Sequence, residues 1–379
     1  MPVQLSYWEK DRYFNHIDVV IAGSGIVGLN AALSLKEKQP SLNILVAERG
    51  ALPSGASTKN AGFACFGSVS ELMDDLTKMT ENEVFSLVEK RFRGLQKLRA
   101  KIGDAAMRFE ENGGYEVFDD NKNYEACAEN IPAFNSRLKN IIGRTDVYKT
   151  ADEQILNFGF RNVKHMIVCP AEGQIDTGRM MEALLAKVHE AGIKVLNGLH
   201  ITGFENESNG LTLRTENGYS IFTKRLLICT NGFAKQLLPA EDVEPARAQV
   251  LITSPMKELK LKGTFHYDKG YYYFRNVGDR LLLGGGRNLD FKGENTTEHA
   301  TTPLIQEKLD QLLKEMILPG TDYSIEQRWS GTMGVGAKKE PIVKKIKENI
   351  FCAVRMGGMG VALGSLTGEN AAELLAETF

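Results

Sequence analysis

Three glycines and one acid are the first residues of this chain whose spacing could do chemistry. Gly23, Gly25 and Gly28 fall in the run Gly23-Ser24-Gly25-Ile26-Val27-Gly28, and Glu48 stands twenty residues beyond the last of them. An apolar run from Ile17 to Ile21 precedes the glycines, and a helical pattern through Leu29, Ala32, Leu33 and Leu35 follows. Ile44 to Ala47 then leads into Glu48-Arg49-Gly50. Strand, tight turn, helix, strand and acid in that order are what a dinucleotide site requires. Gly23 permits the turn, Gly25 leaves the backbone open to a pyrophosphate, and Gly28 lets helix and strand lie close. Ile26 and Val27 open the helix, whose unpaired N–H groups and partial positive charge favour phosphate. Glu48 can accept hydrogen bonds from ribose hydroxyls. A purely structural glycine turn is the competing reading, and the acid at the right distance weighs against it.

A second set could touch a substrate. Tyr271 and Tyr273 alternate on one face of an expected strand from Gly270 to Arg275, with Arg275 two residues further on. Arg287 follows Gly284-Gly285-Gly286, where the backbone can approach a ligand closely. Equally, the tyrosines could be sheet packing and the arginines solvated ion-pairers. Met333, Met356 and Met359 stand either beside a bound ring or in the core as filler. Cys65 reads as a buried structural thiol rather than a covalent cofactor link, and Trp329 as packing between domains. Lys338-Lys339-Glu340 and Lys344-Lys345-Ile346-Lys347 read as a solvated face.

These residues need elements to position them. At 379 residues the chain exceeds one ordinary core, so two domains, interleaved in sequence, are expected. Both ends carry a strand-to-glycine-to-helix unit: Ile17 to Leu35, and Ile350 to Val354 followed by Gly357-Gly358-Met359-Gly360 and a terminal helix. One nucleotide domain is therefore expected from distant segments, with a second sheet domain set between them. A helix is expected from about Ser70 to Ile102, another from Met180 to Ala191 and another from Pro303 to Met316. A small meander is expected over 201–223, then a separate buried strand at 226–230. Antiparallel strands are expected near 250–254, 270–275 and 280–284.

Composition narrows the function classes. A hydrophobic fraction of 42%, a charged fraction of 25% and a net charge of −2 are ordinary for a globular protein and point to neither nucleic acid nor an anionic membrane. Cys65, Cys127, Cys169, Cys229 and Cys352 are scattered, without paired spacing, which favours free thiols in a reducing cytoplasm over disulfides or a metal cluster. The charged residues Glu9 to Arg12 do not read as a secretory signal. The apolar stretch from Val19 to Leu35 reads as strand-turn-helix rather than an integral membrane segment, because its glycines keep cofactor spacing.

Taken in order, the Gly23–Glu48 fingerprint, Ser57 to Phe63, Gly173-Gln174-Ile175-Asp176, Cys229-Thr230-Asn231-Gly232, Arg328-Trp329-Ser330-Gly331 and the Gly357–Val361 turn resemble the FAD-dependent D-amino acid oxidase superfamily. The likeness spans nearly the whole chain and is carried least between Ser70 and Val168. Ser6-Tyr7-Trp8-Glu9 and Trp329 to Gly334 look most like the branch near γ-glutamylputrescine oxidoreductase. The resemblance implies an α/β (α+β) fold. A Rossmann-like FAD-binding domain of the glutathione-reductase type would be built from 1–80, 165–245 and 330–379, and an antiparallel-sheet substrate domain from 81–164 and 246–329.

It also implies which residues meet FAD. Beside the first cradle (Gly23, Ser24, Gly25, Ile26, Val27, Gly28), Glu48 would hold the adenosine ribose, and Arg49 would join the cofactor residues. Ser57, Thr58, Lys59, Asn60, Ala61 and Gly62 would pass the pyrophosphate and flavin, with Lys59 where members often have Arg. Ile201 would face adenine. Thr230, Asn231, Gly232, Gly331, Arg355 and Met356 would line the site, and Gly357, Gly358, Met359, Gly360 and Val361 would direct N–H groups at the flavin edge that gains charge on reduction. The implied reaction is hydride transfer from a carbon next to nitrogen to flavin N5, followed by imine hydrolysis, with Tyr271, Tyr273, Arg287 and Met333 on the substrate.

One departure matters. Members that oxidise amino acids carry an Arg two residues after Trp-x-Gly to clamp the carboxylate; here that residue is Met333. Either Arg287 or Arg275 replaces the clamp, or the substrate is an amine or N-substituted amino compound lacking that group. The Lys that sarcosine-oxidase-type members use near the flavin is replaced by Leu281-Leu282-Leu283. The electron acceptor, oxygen or another, therefore stays open, as does the oligomeric state. Rival readings are flavin-dependent oxidation of a 2-hydroxy acid or glycerol phosphate, an NAD-dependent dehydrogenase, and a non-catalytic flavin-binding module.

Overall fold

The computed structural model describes residues 4–379; residues 1–3 of the first expected segment lie outside the described residues. Two eight-stranded sheets carry the molecule. In the first, Ile17–Ala22 lies at the centre, parallel to Ile44–Ala47 on one side and to Ser220–Ile228 on the other. Lys194–Leu196 and Ile350–Val354 extend the parallel run outward. Ile342–Lys347 closes one edge antiparallel, and the hairpin of Ile201–Glu207 and Gly210–Thr215 folds onto the strand Ser220–Ile228.

The central strands are apolar at nearly every position because both faces are covered. Val19 and Ile21 enter one cluster with the helices, while Val20 and Ala22 enter another under the hairpin. Such division of alternate residues is the period of two of a strand. The cradle helix Ile26–Lys38 is buried without a break from Ile26 to Leu35. It packs along the C-terminal helix Gly360–Ala376, and both helices rest on the sheet. The close crossing needs glycine: a Cβ on Gly368 would sit 2.6 Å from the Val27 carbonyl oxygen, and one on Gly364 2.6 Å from the Ile26 side chain.

The second sheet runs in the order Ile325–Val335, Glu244–Thr253, Arg280–Gly285, Tyr272–Val277, Thr264–Tyr267, Gly114–Phe118, His165–Cys169, Lys149–Thr150. Tyr272 and Phe274 point into a core covered by the helix Pro303–Leu312. Tyr273, between them, points to the opposite face with Val250, Leu282 and Trp329.

Several expected elements differ. The helix over 70–102 is two, Val69–Leu76 and Glu81–Ile102, because Thr80 starts a new one with a reciprocal capping box to Glu83. The third meander strand and the buried strand at 226–230 are one strand, Ser220–Ile228. Asn121–Ile142 is a 22-residue helix with no counterpart among the expected elements; the Asp120 carboxylate accepts from the Asn123 N–H and caps it. Two expected segment boundaries cut across the layers. Glu81–Ile102, placed with the substrate domain, packs on the C-terminal helix of the first layer. His165–Cys169, placed with the FAD-binding domain, lies in the second sheet.

Candidate active site

The carboxyl ends of the parallel strands and the free face of the second sheet enclose a cavity of about 560 Å³. Gly23 and Gly25 follow the first strand, Glu48 and Arg49 the second, Thr230 and Asn231 the strand Ser220–Ile228, and Met356 to Val361 the last, all on the wall. This is the crevice at the carboxyl edge where open α/β sheets bind ligands.

The first turn is held from several sides. Gly23 has φ +106°, and a Cβ there would lie 2.9 Å from the Cys229 carbonyl oxygen. A Cβ on Gly28 would lie 2.0 Å from the Gly23 carbonyl oxygen, so the helix begins against its own turn. Ser57 Oγ accepts from the Ile26 N–H at 2.9 Å and sits where a Gly25 side chain would point. Glu48 is buried, and its carboxylate is fully engaged: one oxygen accepts from the Ser24 N–H and hydroxyl, the other from the Gly50 N–H and the Ser54 hydroxyl. The acid is thus fixed before any ribose arrives, and the two serine hydroxyls share its face.

The loop from Ser57 to Gly62 is clamped. Asn60 Oδ1 accepts from Gly62 N–H and from Thr177, the Trp329 indole donates to the Lys59 carbonyl at 3.0 Å, and Gly331 lies against the Lys59 side chain. Arg275 completes the clamp. Its guanidinium donates to the carbonyls of Ala61, Ile175 and Asn276, and burial pushes its pKa down to about 10. As a candidate for holding a substrate carboxylate, Arg275 is therefore corrected: each of its three nitrogens donates to backbone, and it does not line the cavity.

At the far turn, Asn231 (φ +44°) accepts from the N–H groups of Arg355 and Met356 through Oδ1. Met333 passes its sulfur against Gly358, where a Cβ would meet it at 3.2 Å. The N-terminus of the C-terminal helix, at Gly360, opens on the same cavity as that of the cradle helix.

Most of the expected cofactor residues meet at this wall: Gly23, Gly25, Ile26, Val27, Glu48, Arg49, Ser57, Lys59, Asn60, Ala61, Gly62, Ile201, Thr230, Asn231, Gly331, and Met356 through Val361. Five do not reach it. Ser24 turns to Glu48, Gly28 to Gly23, Thr58 to the Pro53 carbonyl, and Gly232 to the backbone of Met333. Arg355 is buried in an ion pair with Asp242 at 2.6 Å. Tyr271, Tyr273, Arg287 and Met333 all line the cavity, although the strand starts at Tyr272 and leaves Tyr271 in the turn before it. Arg287 Nε is buried with no partner, and its guanidinium lies 5.0 Å from the Phe291 ring.

Sequence reasoning missed one end of the cavity. Cys65, Glu71, Asp74, Lys78, Arg91, His266 and Lys269 line it, and so do Lys338 and Lys339, expected on a solvated face. Lys339 pairs with buried Asp75 and is held there by that charge. Burial pushes the Cys65 thiol up, the Glu172 carboxyl behind it up to about 7, and His266 down. The only signal for this end was Ser68-Val69-Ser70-Glu71, a capping box that the structure contains.

A glycine cradle on the parallel core of one sheet faces, across one cavity, a second sheet that is antiparallel except where Thr264–Tyr267 runs parallel to Gly114–Phe118, a correction to the all-antiparallel expectation; together they define a dinucleotide-binding scaffold. The chain belongs to the DAO family, FAD dependent oxidoreductase, whose model matches residues 18–374. A probable oxidoreductase OrdL of Rhizobium meliloti is 23% identical to it over 94% of this chain and 82% of its own length. Among solved structures, glycine oxidase from Geobacillus kaustophilus superposes with a TM-score of 0.76 at 18% identity over 96% of this chain and 95% of that one. L-proline dehydrogenase from P. horikoshii gives 0.75 at 19% over 95% and 93%. These likenesses show a shared fold.

FAD is the cofactor, and the residues present fit it. The Gly25 cradle excludes a side chain, two helix N-termini open on one cavity, and the hydroxyls of Thr230 and Thr332 are buried at its wall without a partner. Among the described residues no helix is long and apolar enough to cross a membrane.

Proposed function

We propose that the protein oxidises a C–N bond of an amine or N-substituted amino compound, and that Arg287, rather than an Arg after the Trp-x-Gly motif, holds an anionic group of that substrate. The observation that carries this reading is the wall itself: Met333 occupies the usual clamp position and has no cationic group, while Arg287 lines the same cavity with an unpaired Nε.

FAD, when bound, supplies the two-electron acceptor, so that the carbon next to nitrogen loses a hydride and the resulting imine hydrolyses. The chain's own part is orientation and exclusion of water. Tyr271 and Tyr273 offer aromatic faces to the carbon skeleton, and burial pushes the Tyr273 hydroxyl up to about 12, so it stays protonated as a donor. Arg287 fixes the polar end, and Met333 fills the remaining wall with an adaptable apolar surface. Lys59 and Arg49 add positive charge toward the cofactor's phosphates, Arg49 being held over the Phe233 ring at 3.5 Å. The five free cysteines are all buried, which suits a reducing cytoplasm. The domain roles follow the same reading, with the first layer holding FAD and the second sheet the substrate.

An anaerobic titration of the flavin band with amines, N-methyl amino acids, D- and L-amino acids and 2-hydroxy acids tests it. Bleaching by the amines or N-substituted compounds is expected. Bleaching by 2-hydroxy acids alone overturns the C–N reading. Readmitting air then distinguishes oxygen from another acceptor.

A further inference from the structure

Cys65, Glu172 and His266 come from three separate pieces of chain. Cys65 follows the short strand Phe63–Ala64, Glu172 sits in the turn before Gly173–Gln174, and His266 lies in Thr264–Tyr267. The Cys65 sulfur, a Glu172 carboxylate oxygen and a ring nitrogen of His266 all lie within 4.8 Å of one another, and the three residues are 2%, 1% and 8% exposed. Nε2 of His266 is buried with no hydrogen-bond partner.

We propose that Cys65, Glu172 and His266 bind one divalent cation of the zinc class at the wall of the cavity. A thiolate, an imidazole and a carboxylate together form a donor set suited to a borderline-soft ion. The surroundings already resemble a supporting shell. Glu71 Oε2 lies 3.9 Å from His266 Nδ1, beyond hydrogen-bond reach but near enough for its charge to act on the ring. Glu172 Oε1 is held by the N–H groups of Phe66 at 2.6 Å and Gly67 at 3.1 Å, which orients the carboxylate. The sulfur's present neighbours, Thr264 Oγ1 at 3.4 Å and the Gly173 carbonyl at 3.8 Å, are weak partners for a thiol.

Ligand bonds of about 2.0–2.3 Å in a tetrahedron set neighbouring donors roughly 3.5 Å apart, so side-chain shifts of about 1 Å close the site. Two anionic ligands against a doubly charged ion leave the buried cluster neutral. Ligation takes Cys65 as the thiolate and releases its proton to solvent. Cys65 and His266 also line the cavity.

The test uses flavin-loaded protein incubated with zinc chloride and dialysed against metal-free buffer. Elemental analysis is expected to find about one zinc retained per chain in the wild type, and at least tenfold less in Cys65→Ser and His266→Gln at unchanged flavin content. Zinc-edge X-ray absorption of the wild type should show one sulfur in a mixed nitrogen and oxygen shell. Equal zinc in wild type and Cys65→Ser, or a shell without sulfur, overturns the site. Should either variant misfold, the wild-type absorption spectrum decides alone. None of these readouts depends on turnover, so they fail or succeed apart from the proposed reaction.

Discussion

At the scale of single residues, the site rests on positions where a side chain is forbidden or has been exchanged. Gly25 is the first kind: its missing Cβ leaves room that Ser57 Oγ bounds at 2.8 Å. Gly25→Val is expected to purify without flavin, since the branched side chain fills the approach to the helix N-terminus. The ratio of flavin to protein absorbance measures this, and full flavin content in the variant would disprove it. Met333 is the second kind. Met333→Arg is expected to raise turnover of simple α-amino acids relative to amines, by about tenfold if a charge-assisted pair forms. An unchanged ratio of the two kcat/KM values would remove Met333 from the specificity argument. Arg275 shows how a residue type can mislead. Its alternation with Tyr273 suggested a shared ligand, yet three carbonyls surround its guanidinium, a partnership no spacing encodes.

At the scale of elements, three helices are joined through glycines. Gly94 of Glu81–Ile102 meets the Ala362 carbonyl, and Gly368 of the C-terminal helix meets the Val27 carbonyl of the cradle helix. Gly368→Val would drive a Cβ to 2.6 Å from backbone that cannot retreat without moving the cradle. Overpacking of this kind costs about 1–3 kcal/mol, and the denaturant midpoint should fall accordingly, with flavin affinity falling beside it. A midpoint equal to the wild type would mean the crossing is looser than described. Both glycine turns were legible in the chain because a phosphate approaches backbone only where side chains are absent. The helix Asn121–Ile142 was not: its inward residues Cys127, Phe134, Leu138 and Ile142 form a thin stripe, and its cap reads equally well as a turn. The polar end of the cavity was hidden for a different reason. Glu71, on the helix Val69–Leu76, and His266, on the strand Thr264–Tyr267, are far apart in sequence and meet only in the folded chain.

At the scale of the whole molecule, the loop from Ser57 to Gly62 is the seam between the two sheets, and Arg275 of the second sheet is its fastening. Arg275→Leu would strand the Ala61 and Ile175 carbonyls in a buried place. Each unsatisfied group costs about 1–3 kcal/mol, so a lowered denaturation midpoint and flavin loss on gel filtration are expected together. Loss of stability with flavin fully retained would show that the seam does not depend on this fastening. The two-layer architecture and the cofactor were legible because both ends of the chain carry the same strand-glycine-helix signature. The division of segments between layers was less so, since Glu81–Ile102 belongs to one layer by its packing and follows the other by position.

The indole of Trp329 donates to the Lys59 carbonyl across that seam, and it is one of two tryptophans in the chain, the other being Trp8, which is 69% exposed. Replacing Trp8 by phenylalanine would leave a single tryptophan at the junction, whose excitation energy a flavin bound in the cavity would be expected to accept. The molecule therefore carries a built-in optical gauge. Its brightness would report cofactor occupancy and seam integrity in real time, including in variants that turn over nothing.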